Sequence, residues 1–268
     1  MRNHSFVYSF KASGIERKQI ASVIAEALCE EVEYQGLPSF AYHTAGWTID
    51  RNGLIASPEI EDNKVFRTVL DALEAAGATA DGNGNGTVTI SLNDHDGNSL
   101  RNTVNLIWSK QKLIQKALDR QTAIVPEGLI DAINSVPIDT LEDFTKIVNN
   151  AIDTGTIRGE CELEFDLVDK TIGFSFSNAS LEFDEVLAFI TLCLQINEQG
   201  KKQRFSSTRQ KESPNEAYSF RCYLLKLGFI GEQYKTARKI LLARLTGDAV
   251  YRTIEGRRAA EEKRKGHR

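Results

Sequence analysis

An α+β fold follows from three features of this 268-residue chain. Short runs of alternating apolar residues stand at both ends of 1–98, and apolar residues recur at helical spacing between them. A second alternating pair at 161–176 is followed by helical patterns to the end. The order of the first 98 residues, strand, helix, strand pair, helix, strand, predicts a ferredoxin-like split βαβ domain. A helical linker or insertion is expected over 99–160, and a β-hairpin packed with basic helices over 161–268.

Taken in order, 6–11 reads as a strand. Ser13 and Glu16 have capping-box spacing for a helix whose apolar stripe is Ile20, Val23, Ile24, Ala27 and Leu28. Short strands are expected at 31–34, 40–44 and 47–50, with turns at Ala45-Gly46 and 50–53. Ser57-Pro58 suggests a helix start, Phe66, Val69, Leu73 and Ala76 its buried face, and Gly77 its stop. The glycine cluster at 81–86 precedes the strand of Val88, Ile90 and Leu92. A phosphate loop must lead into a helix, so the cluster reads as a connecting turn. A long helix is expected over 99–118, then two short ones, the second opened by Thr140 and Asp143.

In CELEFDLVDKTIGFSF, Cys161, Leu163, Phe165, Leu167, Ile172, Phe174 and Phe176 face one way. Glu162, Glu164, Asp166, Thr171 and Ser175 face the other, as a solvated edge would, or a hard-cation site. An apolar helix over 183–197 should cover the buried face, and 199–214 is a polar, basic connection.

Net charge is −4, but it is unevenly spread. Residues 1–200 carry 15 Lys and Arg against 30 Asp and Glu, whereas 201–268 carry 18 against 7. An anionic partner therefore belongs to the C-terminal third, unless the two parts neutralise each other internally. There, 217–227 and the helix after Gly231 form an amphipathic pair. Ser219, Tyr223 and Lys226 fall opposite the apolar face of the first. Lys235, Arg238 and Lys239 lie at i, i+3 and i+4 on the second, where they repel one another. Lys201, Lys202, Arg204 and Arg209 add to the same field. The candidate ligand-binding residues are Lys235, Arg238, Lys239, Arg221, Lys226, Tyr223 and Arg204. A helix-turn-helix docked in a major groove is one use of such a pair. Stacking of bases or nucleotides on Phe205, Tyr218, Tyr223, Tyr234 or Tyr251 is another.

Catalytic and metal motifs are missing from the sequence. His4, His43, His95 and His267 lack ligand spacing, and no nucleophile elbow, Walker loop or dinucleotide fingerprint occurs. Cys29, Cys161, Cys193 and Cys222 lie far apart and read as reduced core thiols. No apolar stretch is long enough for a bilayer and no signal peptide opens the chain, which predicts a cytoplasmic protein.

The stretches YQGLPSFAYHTAGWTIDRNG, IDTLEDFTKIVNNAIDTGTIRG and YSFRCYLLKLGFIGEQYKTARKILLARLTGDAVYR resemble the "virulence-related protein" family of prophages and mobile elements of Firmicutes. The helix through Ser109-Lys110 to Leu118 is similar to the same family. The C-terminal segment is also similar to one in phage amidoligases, whose fold is like that of glutamine synthetase. Their opening strand carries alternating glutamates, whereas VYSFKASG here has none, which implies a scaffold without Mg²⁺ chemistry.

The resemblance implies a phage protein in the host bacterial cytoplasm. Together with the charge pattern, it predicts a non-enzymatic protein that binds an anionic ligand, a nucleotide first of all, without cofactor, metal or membrane. An anti-defence sponge for a nucleotide immune signal is the leading expectation. A nucleic-acid-binding accessory protein is the alternative, and an amidoligase-like enzyme the third; an oligomer is compatible with each.

Overall fold

The computed structural model describes residues 5–81, 84–159, 161–166, 168–253 and 258. His4, His267, Leu167, part of the glycine cluster and the tail at 259–268 lie outside the described residues.

The fold is α+β, built on one antiparallel sheet. Strands β1 (Val7–Ser13), β2 (Glu33–Tyr34), β3 (Tyr42–Thr44), β4 (Trp47–Ile49), β5 (Leu54–Ala56), β6 (Thr79–Ala80), β7 (Asn85–Ser91), β8 (Leu163–Asp166) and β9 (Thr171–Asn178) form it. Their order is β2-β3-β4-β5-β1-β7-β9-β8, with β6 also paired to β1. The stretch β4-β5-β1-β7, antiparallel throughout, is the split βαβ arrangement expected from the first 98 residues. The hairpin β8-β9 extends that same sheet through β7.

Alternation along the strands decides what each face does. Tyr8, Phe10, Val88, Ile90, Ile172, Phe174 and Phe176 turn to one side and are buried. Helices α1 (Arg17–Leu28), α2 (Asn63–Ala75), α3 (Gly97–Ala117) and α6 (Phe183–Lys202) bring Ile20, Phe66, Val104 and Phe189 into the same hydrophobic cluster. Helices α4 (Glu127–Ser135) and α5 (Leu141–Asp153) join it through Leu129 and Phe144. Thr140 and Asp143 form the expected capping box of α5.

Two helix starts differ from the sequence reading. Ser13 stays in β1 opposite Thr79, so Glu16 takes over the α1 capping box with Gln19. Ser57 accepts a hydrogen bond from the Tyr8 amide, and Ile60 bridges to Phe6, so the chain at 57–60 remains extended. Helix α2 begins five residues later than expected, capped by Asp62.

Helices α3 and α6 cross where Gly200 meets α3. A Cβ on Gly200 would lie 2.0 Å from Thr103 Oγ1 and 3.0 Å from its backbone nitrogen. Close approach thus requires glycine here. The crossing is also polar at one end: His95, buried, bonds Ser99 Oγ through Nδ1 at 3.1 Å and Asn197 Oδ1 through Nε2 at 2.9 Å. His95 is therefore a satisfied buried histidine rather than a surface one. Of the four cysteines only Cys193 is fully buried; Cys29 and Cys222 are exposed, which corrects the expectation of core thiols throughout.

Candidate functional site

Helix α7 (Glu216–Leu227) follows the connection at 203–214, and after a 3-10 turn at Glu232–Tyr234 comes α8 (Lys235–Leu242). The connection has no regular structure, yet α3 fixes it. Asn98, Asn102 and Asn105, at i, i+4 and i+7, donate side-chain amide hydrogens to the carbonyls of Arg204, Gln203 and Ser206 at 3.2, 2.7 and 3.3 Å. Further on, Gln210 Nε2 donates to the Trp108 carbonyl at 3.0 Å.

Helix α7 is anchored separately. Asn215 caps it by accepting from the Tyr218 amide, and its own side-chain amide reaches the carbonyls of Asp248 and Tyr251. Tyr223 Oη donates to the Leu106 carbonyl of α3 at 3.1 Å. Burial raises the Tyr223 phenol well above its usual range, so it stays a donor.

Between α3, the connection and α7 an open groove of about 780 Å³ remains. Its charged and aromatic lining includes Lys110, Lys211, Lys226, Arg252 and Tyr218, with the hydroxyls of Ser109 and Ser207 beside them. Lys110 is half-buried. Burial lowers its pKa, and the nearby Lys211 and Lys226 push it the same way. Carboxylates of the neighbourhood are engaged elsewhere, Glu212 with Lys112 at 3.4 Å and Glu216 with Lys116 at 2.6 Å. Among the described residues, no ion pair is formed by Lys110, Lys211 or Lys226. Three ammonium groups thus face one hollow whose lining carboxylate, Glu212, is paired with Lys112, and the excess of positive charge favours an anion.

Of the seven residues expected from sequence, the groove gathers Lys226 and Tyr223. Tyr223 forms its floor rather than an exposed stacking face, being 5% exposed, so its place on the wet side of α7 is corrected. Arg204 is exposed on the connection, and Arg221 sits off the groove face of α7. Lys235 pairs with Glu232 at 3.2 Å, and Lys239 is exposed on α8. Arg238 turns back, donating from Nη1 to the carbonyls of Phe229 and Gly231, both at 2.9 Å. Those carbonyls belong to the α7–α8 turn, so Arg238 is a turn clamp. Lys110 and Lys211 escaped the sequence reading because they lie 101 positions apart in the numbering and only the pinned connection brings them together.

The sheet's second face is polar. Ser9, Thr87 and Thr89 are half-exposed there, and Ser175 Oγ donates to Glu164 Oε1 at 2.8 Å and meets Thr87 Oγ1 at 2.9 Å. The three acidic residues of β8 and its approach do different jobs. Glu162, 7% exposed, is paired with Arg120 and bonded by Thr122, which corrects its expected solvated position. Asp166 accepts the amides of Val168 and Asp169 at 2.9 Å, closing the hairpin turn. Among the described residues, no three His, Cys, Asp or Glu side chains gather as a metal site requires, and no helix is long and apolar enough to cross a membrane.

No protein-family model matches the chain, and no curated protein does. One solved structure that it resembles is the complex between the prokaryotic ubiquitin-like protein Pup and its ligase PafA, at 10% identity and a TM-score of 0.36. The match covers 95% of this chain and 53% of the other, so this chain spans about half the length of that neighbour. The neighbour is a ligase, and the expectation of a protein without enzymatic activity is withdrawn on that finding. A likeness this distant lends no support to any particular activity.

Proposed function

We propose that the chain binds a phosphate-bearing ligand of nucleotide type in the groove between α3, the connection and α7. The observation that carries this reading is the convergence of Lys110, Lys211 and Lys226 without a carboxylate partner. Ammonium groups answer phosphate oxygens, serine hydroxyls add neutral donors, and Tyr218 offers an aromatic surface beside them. Sequestering a nucleotide signal, the role suggested by the resemblance to prophage proteins, would require such a site.

Titration calorimetry with ATP tests it. Replacing Lys110 and Lys226 together by Ala should weaken binding by about a hundredfold or more, since each charge-assisted contact contributes roughly 1.5–3 kcal/mol. The melting temperature should hold, because neither ammonium has an internal partner. Wild-type protein that binds neither ATP nor other nucleoside phosphates would end this reading.

An amidoligase-like enzyme is a second reading, favoured by the polar sheet face where Glu164, Ser175 and Thr87 form a hydrogen-bonded row. ATP hydrolysis that persists in the Lys110 and Lys226 variant but disappears in Glu164→Gln would favour it.

A further inference from the structure

The groove does not end blindly. Towards the N-terminus of α7 it opens into a hollow of about 260 Å³, which shares Lys110, Lys211 and Glu212 with it and adds Lys112 and Glu216. Past that hollow lies another of about 530 Å³, with Lys116, Arg120 and Arg244 in its wall. Together the three hollows place Lys110, Lys112, Lys116 and Arg120 along one path that a phosphate backbone could follow. The structure interrupts it. Glu212, its side chain 92% exposed, pairs with Lys112, and Glu216 pairs with Lys116. Lys116 and Thr246 hold the Glu216 carboxyl down to about 2, so it remains charged at neutral pH.

We infer that Glu212 and Glu216 make the groove selective for short phosphate-bearing ligands, such as mono- or dinucleotides, over the interior of a nucleic-acid strand. This rests on the nucleotide reading above. A short ligand places its few phosphates among Lys110, Lys211 and Lys226 and stops. The interior of a strand must leave the groove at both ends, and at this end its next phosphates meet two carboxylates instead of free cations. At about 6 Å in water, each such approach weakens binding roughly threefold. The lost cations matter as well, because a strand draws its affinity from the number of phosphates it can neutralise.

Glu212 is the residue to change, since Glu216 also holds Thr246 and Lys116. The probes are ATP and a circularised oligothymidylate, which has no free end and so presents only the interior of a strand. Both are titrated at one salt concentration into wild type, Glu212→Gln and Glu212→Lys. Wild type should bind ATP more tightly than the circle. Glu212→Gln should improve the circle relative to ATP about threefold, and Glu212→Lys about tenfold. A wild-type protein that binds the circle as tightly as ATP, or variants that leave the ratio unchanged, would overturn the selectivity while leaving nucleotide binding in place. Failure of wild type to bind either probe would remove both.

Discussion

Replacing Arg238 with Ala separates a cation that meets ligand from one that holds the fold. Its Nη1 donates to two carbonyls at 2.9 Å, Phe229 and Gly231, on either side of exposed Ile230. Hydrogen bonds from a charged donor contribute about 1.5–3 kcal/mol each when buried. Arg238 is only half-buried, and water can reach the Gly231 carbonyl after truncation, so the pair together should contribute about 1–2 kcal/mol. In a chain of this size that lowers the melting temperature by roughly 2–8 °C. Scanning calorimetry reads the shift, and ATP titration of the folded variant should match wild type. Arg238→Lys keeps the charge and, because both bonds come from one nitrogen, can restore part of the pair, so it should melt between Ala and wild type. An unchanged melting temperature with lost ATP affinity would refute the clamp and return the ligand site to α8.

Two further outcomes test the packing around α3 and α6. Gly200→Ala should cost about 1–3 kcal/mol through overpacking against Thr103, and adding Thr103→Ala should recover part of it, as urea unfolding would show. Burial lowers the His95 pKa from 6.5 to about 4, with Lys201 pushing the same way while Asn197, Glu198 and Asp96 oppose them. The unfolded chain therefore takes up that proton first. The contribution is fully present above pH 6.5, is lost as pH falls towards 4, and amounts to roughly 3 kcal/mol. Urea unfolding at pH 7 and 4.5 should lose most of this difference in His95→Asn.

Much of the fold was legible because the periodicities are strong. Alternation in 163–176 and the helical stripe of Phe66, Val69 and Leu73 mark faces that are buried in the structure. Caps were less secure, since Ser13 and Ser57 look like helix starts but are held by the sheet, as strand pairing and the Tyr8 amide compete for them. Of the residues that line the groove, the sequence reading of the basic third named Lys226 and Tyr223 but neither Lys110 nor Lys211. Charge on α8 is conspicuous in sequence, yet Arg238 and Lys235 have partners within ten residues of themselves. Lys110 carries no local mark at all. Its neighbours come from a connection whose course depends on three asparagines of α3, which look like ordinary surface polar residues at helical spacing.

Those asparagines have a consequence for how order would register in solution. They hold 203–206 by its carbonyls, while among the described residues the amides of Arg204, Phe205 and Ser206 donate to no backbone carbonyl. Hydrogen exchange reports the amide side of the chain and would score this segment as open, although its path is fixed. The wall of the groove can thus be rigid in shape and fast in exchange, and protection gained there on adding a ligand would reflect covering of the amides rather than folding of the segment.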